Sequence, residues 1–152
     1  MAAPVLTMTD NQDNPLPVLN FGVVDAGNST GGYPIHIWNN QQAANNISDA
    51  VNTTITTKTL NGFDNGDSIQ NGNEVVTFNM INVECVSIGE TQYSPIGGPL
   101  VHSIGESAPV GNAPLKISGT GSYANLLLKA VIPNTASPGN VNFLLRVNYQ
   151  FA

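Results

Sequence analysis

Val141 to Phe151 reads V-N-F-L-L-R-V-N-Y-Q-F. Val141, Phe143, Leu145, Val147, Tyr149 and Phe151 occupy every second position, and Asn142, Arg146, Asn148 and Gln150 fill most of the places between. That is the period of a strand with one buried face, because only an extended chain sets alternate side chains on one side. Such a strand demands further apolar faces to complete a core, and the chain upstream supplies them.

Tyr123 to Ile132 is the clearest of these, with Ala124, Leu126, Leu128, Ala130 and Ile132 on one face and Tyr123, Leu127 and Val131 on the other. This is the pattern of a central strand covered on both sides. Pro133 to Asn140, P-N-T-A-S-P-G-N, connects it to the last strand. Val18 to Val24 reads as a strand through Leu19, Phe21 and Val23, which makes it the expected partner of the last strand across the core. Asp25 to Gly32 is a glycine loop; it is no phosphate cradle, since neither a helical pattern nor a lysine follows in place. Tyr33, Ile35 and Ile37 resume alternation against His36 and Trp38, and residues 39–46 break it.

Val51 to Leu60 is rich in threonine, whose β-branching favours the extended form, and its polarity suggests a place near a sheet edge. Asn61 to Asn73 contains three Asn-Gly pairs, the strongest short-range hairpin signal, so one long hairpin is expected. Glu74 to Ile88 reads as a long strand whose buried face switches near Asn79 to Asn82, as at a bulge or bend. Between Gly89 and Ala113 only Leu100 to Ile104 looks like a strand, and Leu115 and Ile117 form a further short apolar pair. No sustained helical period and no internal repeat occurs. The expectation is all-β: an antiparallel sandwich of about 7–8 strands at residues 17–152, preceded by an extended N-terminal arm at residues 1–16. The plain reading of that polar, proline-punctuated arm is a tail; the sharper one is a segment that lies on a partner.

The chain has 152 residues, of which 9% are charged, against about 25% in ordinary domains. One domain of this length buries roughly 68–70% of its unfolded surface and needs no staples. Cys85 is the single cysteine, so an intramolecular disulfide and a four-cysteine metal site are both excluded. Four Lys and Arg stand against 10 acids, for a net charge of −6, which offers no basic field to nucleic acid or anionic lipid. No apolar run approaches the roughly 18–20 residues that span a bilayer, and Met1 to Asp10 lacks the pattern of a secretory leader. A soluble protein without nucleic-acid or membrane partners is expected.

Leu19 to Asn39, L-N-F-G-V-V-D-A-G-N-S-T-G-G-Y-P-I-H-I-W-N, resembles the opening of immunoglobulin-like domains of the ASH and major-sperm-protein type. Phe21, Gly22, Val24 and Gly27 match an F-G-x-V-x-x-G segment that leads through a glycine turn into a strand ending in Asn, here Asn39. Pro133 to Arg146 is similar to the final hairpin of bacterial and viral immunoglobulin-like modules, where P-x-x-A-x-P-G precedes the last strand. The resemblance covers about a quarter of the chain and implies an immunoglobulin-like sandwich of the kind found in phage decoration proteins and bacterial surface modules. It carries no catalytic residues, and the absent cysteine pair excludes the antibody branch.

Chemistry is sparse. His36 and His102 have no second ligand at metal spacing, so a structural or surface role is favoured. Cys85, in mid-strand, reads as a small buried hydrophobe. Asp64, Asp67 and Glu74 lie in an Asn/Gly-rich loop that superficially resembles a calcium site, but the register of a calcium loop is not met. Trp38 and Tyr93 have amide neighbours suited to stacking on a sugar, and N-x-[ST] triplets begin at Asn28, Asn46 and Asn52. No catalytic, cofactor or metal residue is assigned and no enzyme activity is expected.

The leading expectation is a non-enzymatic virion component, a bacteriophage capsid decoration protein on the capsid surface. Its partners would be the major capsid protein, other virion subunits or further copies of itself. The contact residues would be Val5, Leu6 and Leu16 in the arm, with Trp38 and Tyr93 elsewhere. The alternatives are a secreted or cell-surface adhesion module that binds glycans, and a pilin-like fibre subunit whose incomplete sandwich accepts a neighbour's strand.

Overall fold

Alternation along Ser122–Ala130 places Ala124, Leu126, Leu128 and Ala130 on one face, each at most 4% exposed, and the rest of the core assembles against them. The computed structural model describes residues 2–42, 47–66, 68–105 and 122–151. Within these, eight strands occur in chain order: β1 (Leu6–Asp10), β2 (Tyr33–Asn39), β3 (Val51–Lys58), β4 (Ile81–Cys85), β5 (Ser94–Ile96), β6 (His102–Gly105), β7 (Ser122–Ala130) and β8 (Leu144–Gln150). They form two antiparallel sheets, β1-β2-β7-β4-β5 and β6-β3-β8, which is the all-β sandwich of about eight strands that the alternation predicts.

The order of the strands is informative. Pairing is nested: β4 with β5, β3 with β6, and β2 with β7. A long hairpin rolled across two sheets produces this order, the arrangement of a double-sheet jelly roll, whereas immunoglobulin constant domains set strands A-B-E-D over C-F-G. The next nested pair outward would join β1 to β8. Instead β1 adds to β2 in register Leu6↔Asn39 to Asp10↔Ile35, and β8 pairs only with β3 among the described strands.

Several local expectations are corrected. Leu6–Asp10, placed within the N-terminal arm, is an edge strand of the larger sheet, and Asp10 caps the turn after it by accepting the Gln12 and Asn14 amides at 2.8 and 3.0 Å. The chain then returns beside β1, where Leu16 N–H donates to the Met8 carbonyl at 3.1 Å. Val18 to Val24 is no strand. Gly22 has φ 77°, its amide donates to Asn20 Oδ1 at 2.8 Å, and the kink leaves Val23 99% exposed while Leu19 and Phe21 still pack on the core.

β3 is not near an edge; it is the centre of the three-stranded sheet. The corner after β5 satisfies one of its buried threonines, Thr56, whose Oγ1 lies 3.0 and 2.9 Å from the carbonyls of Gly98 and Leu100, while the hydroxyls of Thr53 and Thr57 are buried without a hydrogen-bond partner among the described residues. No long hairpin joins β3 to β4, which lie in different sheets. The Asn71-Gly72 pair opens a short helix, α1 (Asn73–Thr77), with Gly72 at φ 88°. Val76 therefore reaches the core from a helix, and the switch of faces is made at Asn79, with φ 51°, before β4 begins. Tyr149 and Phe151 are 38% and 50% exposed, so the last strand buries only part of its apolar face. Leu115, Ile117, Asn46 and Asp67 lie outside the described residues.

Candidate functional site

The unequal sheets leave one side of the sandwich open. On the β5 and β6 side the chain itself crosses from sheet to sheet and Gly98 N–H donates to the Thr57 carbonyl at 2.8 Å, closing the layer gap. On the opposite side an apolar cleft of about 1050 Å³ lies between β1 and β8, lined by Leu6, Met8, Leu16, Leu19, Ile37, Ile55, Phe143, Leu145, Val147 and Tyr149. Phe21 partly roofs this region by stacking on Phe143 at 6.2 Å and meeting Tyr33 edge-on at 5.3 Å. A second groove of about 760 Å³ runs beneath residues 18–26, so this segment bridges the sheets without filling the space around it.

Beside the cleft, β8 presents its second edge without a strand partner among the described residues. Natural edges are guarded by charge, proline or bulges. Here the one charge, Arg146, turns toward the Gly62 carbonyl at 3.4 Å, and L-L-R-V-N-Y-Q has no proline. Leu144, Tyr149 and Phe151 add 36–50% exposed apolar side chains to the same rim. Of the expected contact residues, Leu6 and Leu16 converge on this cleft from β1 and the chain returning beside it. Val5 is 46% exposed at the start of β1, tied to the fold by its amide bond to Asn39 Oδ1 at 3.0 Å.

Trp38 and Tyr93 belong elsewhere, to the outer face of the five-stranded sheet. Trp38 lies opposite Tyr123 in the β2–β7 register, with ring centroids 4.7 Å apart. Tyr93 lies under Lys129, whose Nζ is 4.3 Å from the ring centroid. Tyr123 and Lys129 are six positions apart along β7, about 20 Å at strand rise, so Trp38 and Tyr93 do not form one stacking platform. Sequence reading missed the partners that Trp38 does have. Tyr123 stacks on His36 at 4.2 Å, and one oxygen of Asp13, Oδ1, accepts from His36 Nδ1 at 2.7 Å and Trp38 Nε1 at 2.9 Å. Those two bonds hold the Asp13 carboxyl below its ordinary value. Only the cross-strand register and the turn after β1 bring these four residues together; the spacing of Asp13 from His36 contains no signal of it.

Several further ionisable groups are paired structurally, whereas the hydroxyls of Thr9, Thr53, Thr57 and Ser103 are buried without a hydrogen-bond partner among the described residues. Glu90 Oε1 accepts the Cys85 amide at 2.7 Å and its carboxylate lies 2.6 Å from His102 Nε2. Cys85 is fully buried, and burial raises its thiol above the ordinary value. Asp64 pairs with Lys58, and Glu74 accepts the Ser137 amide at 2.9 Å. Among the described residues no group of three His, Cys, Asp or Glu side chains gathers closely enough to hold a metal, and no helix is long and apolar enough to cross a membrane. Comparison with protein-family models, curated proteins and solved structures finds no match to this chain.

Proposed function

We propose that this chain is a non-enzymatic structural subunit of a virus particle, a bacteriophage capsid decoration protein that binds assembled shells and stabilises them. The observation that carries the reading is the incomplete roll: an apolar cleft open between β1 and β8, next to an unguarded β8 edge. An unpaired edge offers a row of backbone donors and acceptors, and strand or loop addition from a neighbour satisfies them while covering the apolar rim. Contacts present only in the assembled shell stabilise it by linkage, and a standard interface of about 800 Å² per partner is within reach of such a rim. The nested strand order gives associational support, since jelly rolls recur in viral capsids, although also in lectins. The finer assignment to an immunoglobulin-like module of the ASH and major-sperm-protein type rests on the two terminal segments alone.

The test is co-sedimentation with phage shells together with the native mass of the free protein. Deleting residues 1–14 removes β1 and so is not a clean probe. Tyr149→Lys combined with Phe151→Lys places charge at the rim on exposed positions. The expected result is lost shell binding with unchanged thermal unfolding; full binding by the doubly charged variant would sink the proposal. Open-ended filaments in the mass measurement would favour the fibre-subunit reading, in which the β8 edge takes a neighbour's strand.

A further inference from the structure

The outer face of the five-stranded sheet carries two aromatic positions that differ in one respect. At one end Tyr93 already has its cation, Lys129. At the other, Tyr123 is 42% exposed and lies against Trp38 and His36, which both bond the half-exposed carboxylate of Asp13, yet no Lys or Arg of the described chain reaches it. Lys58 is paired with Asp64, Arg146 is turned to Gly62, and Lys116 is outside the described residues. The corner thus combines electron-rich ring faces with an anion in a chain of net charge −6.

We propose that this corner docks one arginine side chain of a partner protein, its guanidinium packed against the exposed ring surface of Tyr123 and Trp38 and hydrogen-bonded to the carboxylate of Asp13. Cations over aromatic faces are attracted by the ring quadrupole, and the planar guanidinium stacks on a ring while its fork matches a carboxylate. His36 and Trp38 both bond Oδ1 and so orient the carboxylate, whose side chain is 43% exposed to an incoming ligand. A neutral sugar hydrogen-bonds a carboxylate but brings no charge to balance it, and an apolar side chain would desolvate it at a cost. The inference goes beyond the assembly reading and does not depend on it.

Trp38 is the only tryptophan, so its fluorescence and indole N–H resonance report on this corner alone. The full chain is titrated with N-acetyl-arginine amide, its citrulline counterpart and methyl glucoside at matched ionic strength. The expected result is a saturable change at Trp38 with the arginine compound, with Kd on the order of millimolar, and no comparable change with the other two. Asp13→Asn keeps an oxygen acceptor and suits the φ of 66° at this position, so the variant folds, and its arginine affinity falls at least about tenfold. Tyr123→Ala gives a similar loss. A flat arginine titration to about 100 mM, an equal response to citrulline or glucoside, or undiminished affinity in Asp13→Asn overturns the proposal.

Discussion

Asp13 is the residue on which the outer face turns. It occupies the left-handed region that Asp tolerates better than most side chains, and from there it ties the turn after β1 to His36 and Trp38. Because its folded pKa lies below the unfolded value, the stability it contributes is present above about pH 4 and is lost as pH falls through the folded value. Asp10 acts in the same direction through the Asn14 and Gln12 amides. Thermal unfolding measured from pH 6 down to pH 2 should therefore show a steeper acid loss for the natural chain than for Asp13→Asn; superimposable acid limbs would contradict this account. Cys85 provides a second check at this scale. A fully buried thiol with a raised pKa should resist a thiol reagent at neutral pH in native protein and react once per chain in urea, and rapid native labelling would count against its placement.

At the level of elements, two close approaches decide where strands lie. β3 is polar by composition yet central, and the corner carbonyls of Gly98 and Leu100 satisfy Thr56. Thr56→Val leaves them without that partner and should cost about 1–3 kcal/mol in urea unfolding. Gly72 sits at φ 88°, where a Cβ would stand 2.8 Å from the Asn142 carbonyl oxygen and 2.7 Å from Phe143 Cβ. Gly72→Ala meets both the conformational penalty and the contact with β8's approach, so a loss of at least about 1 kcal/mol is expected. An unchanged midpoint in either variant would show that the corner or the approach is not as described.

For the whole molecule, burial is uneven. The layer between β7, β2, β4 and β3 is filled by buried apolar side chains, whereas the region under residues 18–26 and beside β8 is open. Leu128→Ala, in the filled layer, should cost about 2–5 kcal/mol, while Val23→Ser, at 99% exposure in a segment that looked like a strand, should stay within about 0.5 kcal/mol. Comparable losses for the two would mean that residues 18–24 are packed after all. The open side is also where association would act: a partner covering the β8 rim raises the apparent unfolding temperature with protein concentration, without a change in the intrinsic core.

Alternation was sufficient to read the all-β class, the strands β2, β7 and β8, and the burial of Cys85, because each rests on a period of two within a few consecutive residues, and β-branching sufficed for β3. Four features were beyond it, for one physical reason: they depend on contacts between residues distant in sequence. Residues 74–77 were read as strand, yet Val75 and Val76 are buried from a short helix that follows Gly72 at φ 88°. The threonines of β3 looked like an edge, but the strand lies between β6 and β8, where Thr56 is bonded by Gly98 and Leu100. Leu6 and Leu16 were singled out as contact residues in a free arm; their place in β1 and its return, facing β8 across a cleft, was decided by which strand β1 paired with. The Asp13, His36, Trp38 and Tyr123 corner likewise exists only through the β2–β7 register and one turn. Local periodicity writes the strands, and the closing of long loops, whose entropy no short window records, chooses their neighbours.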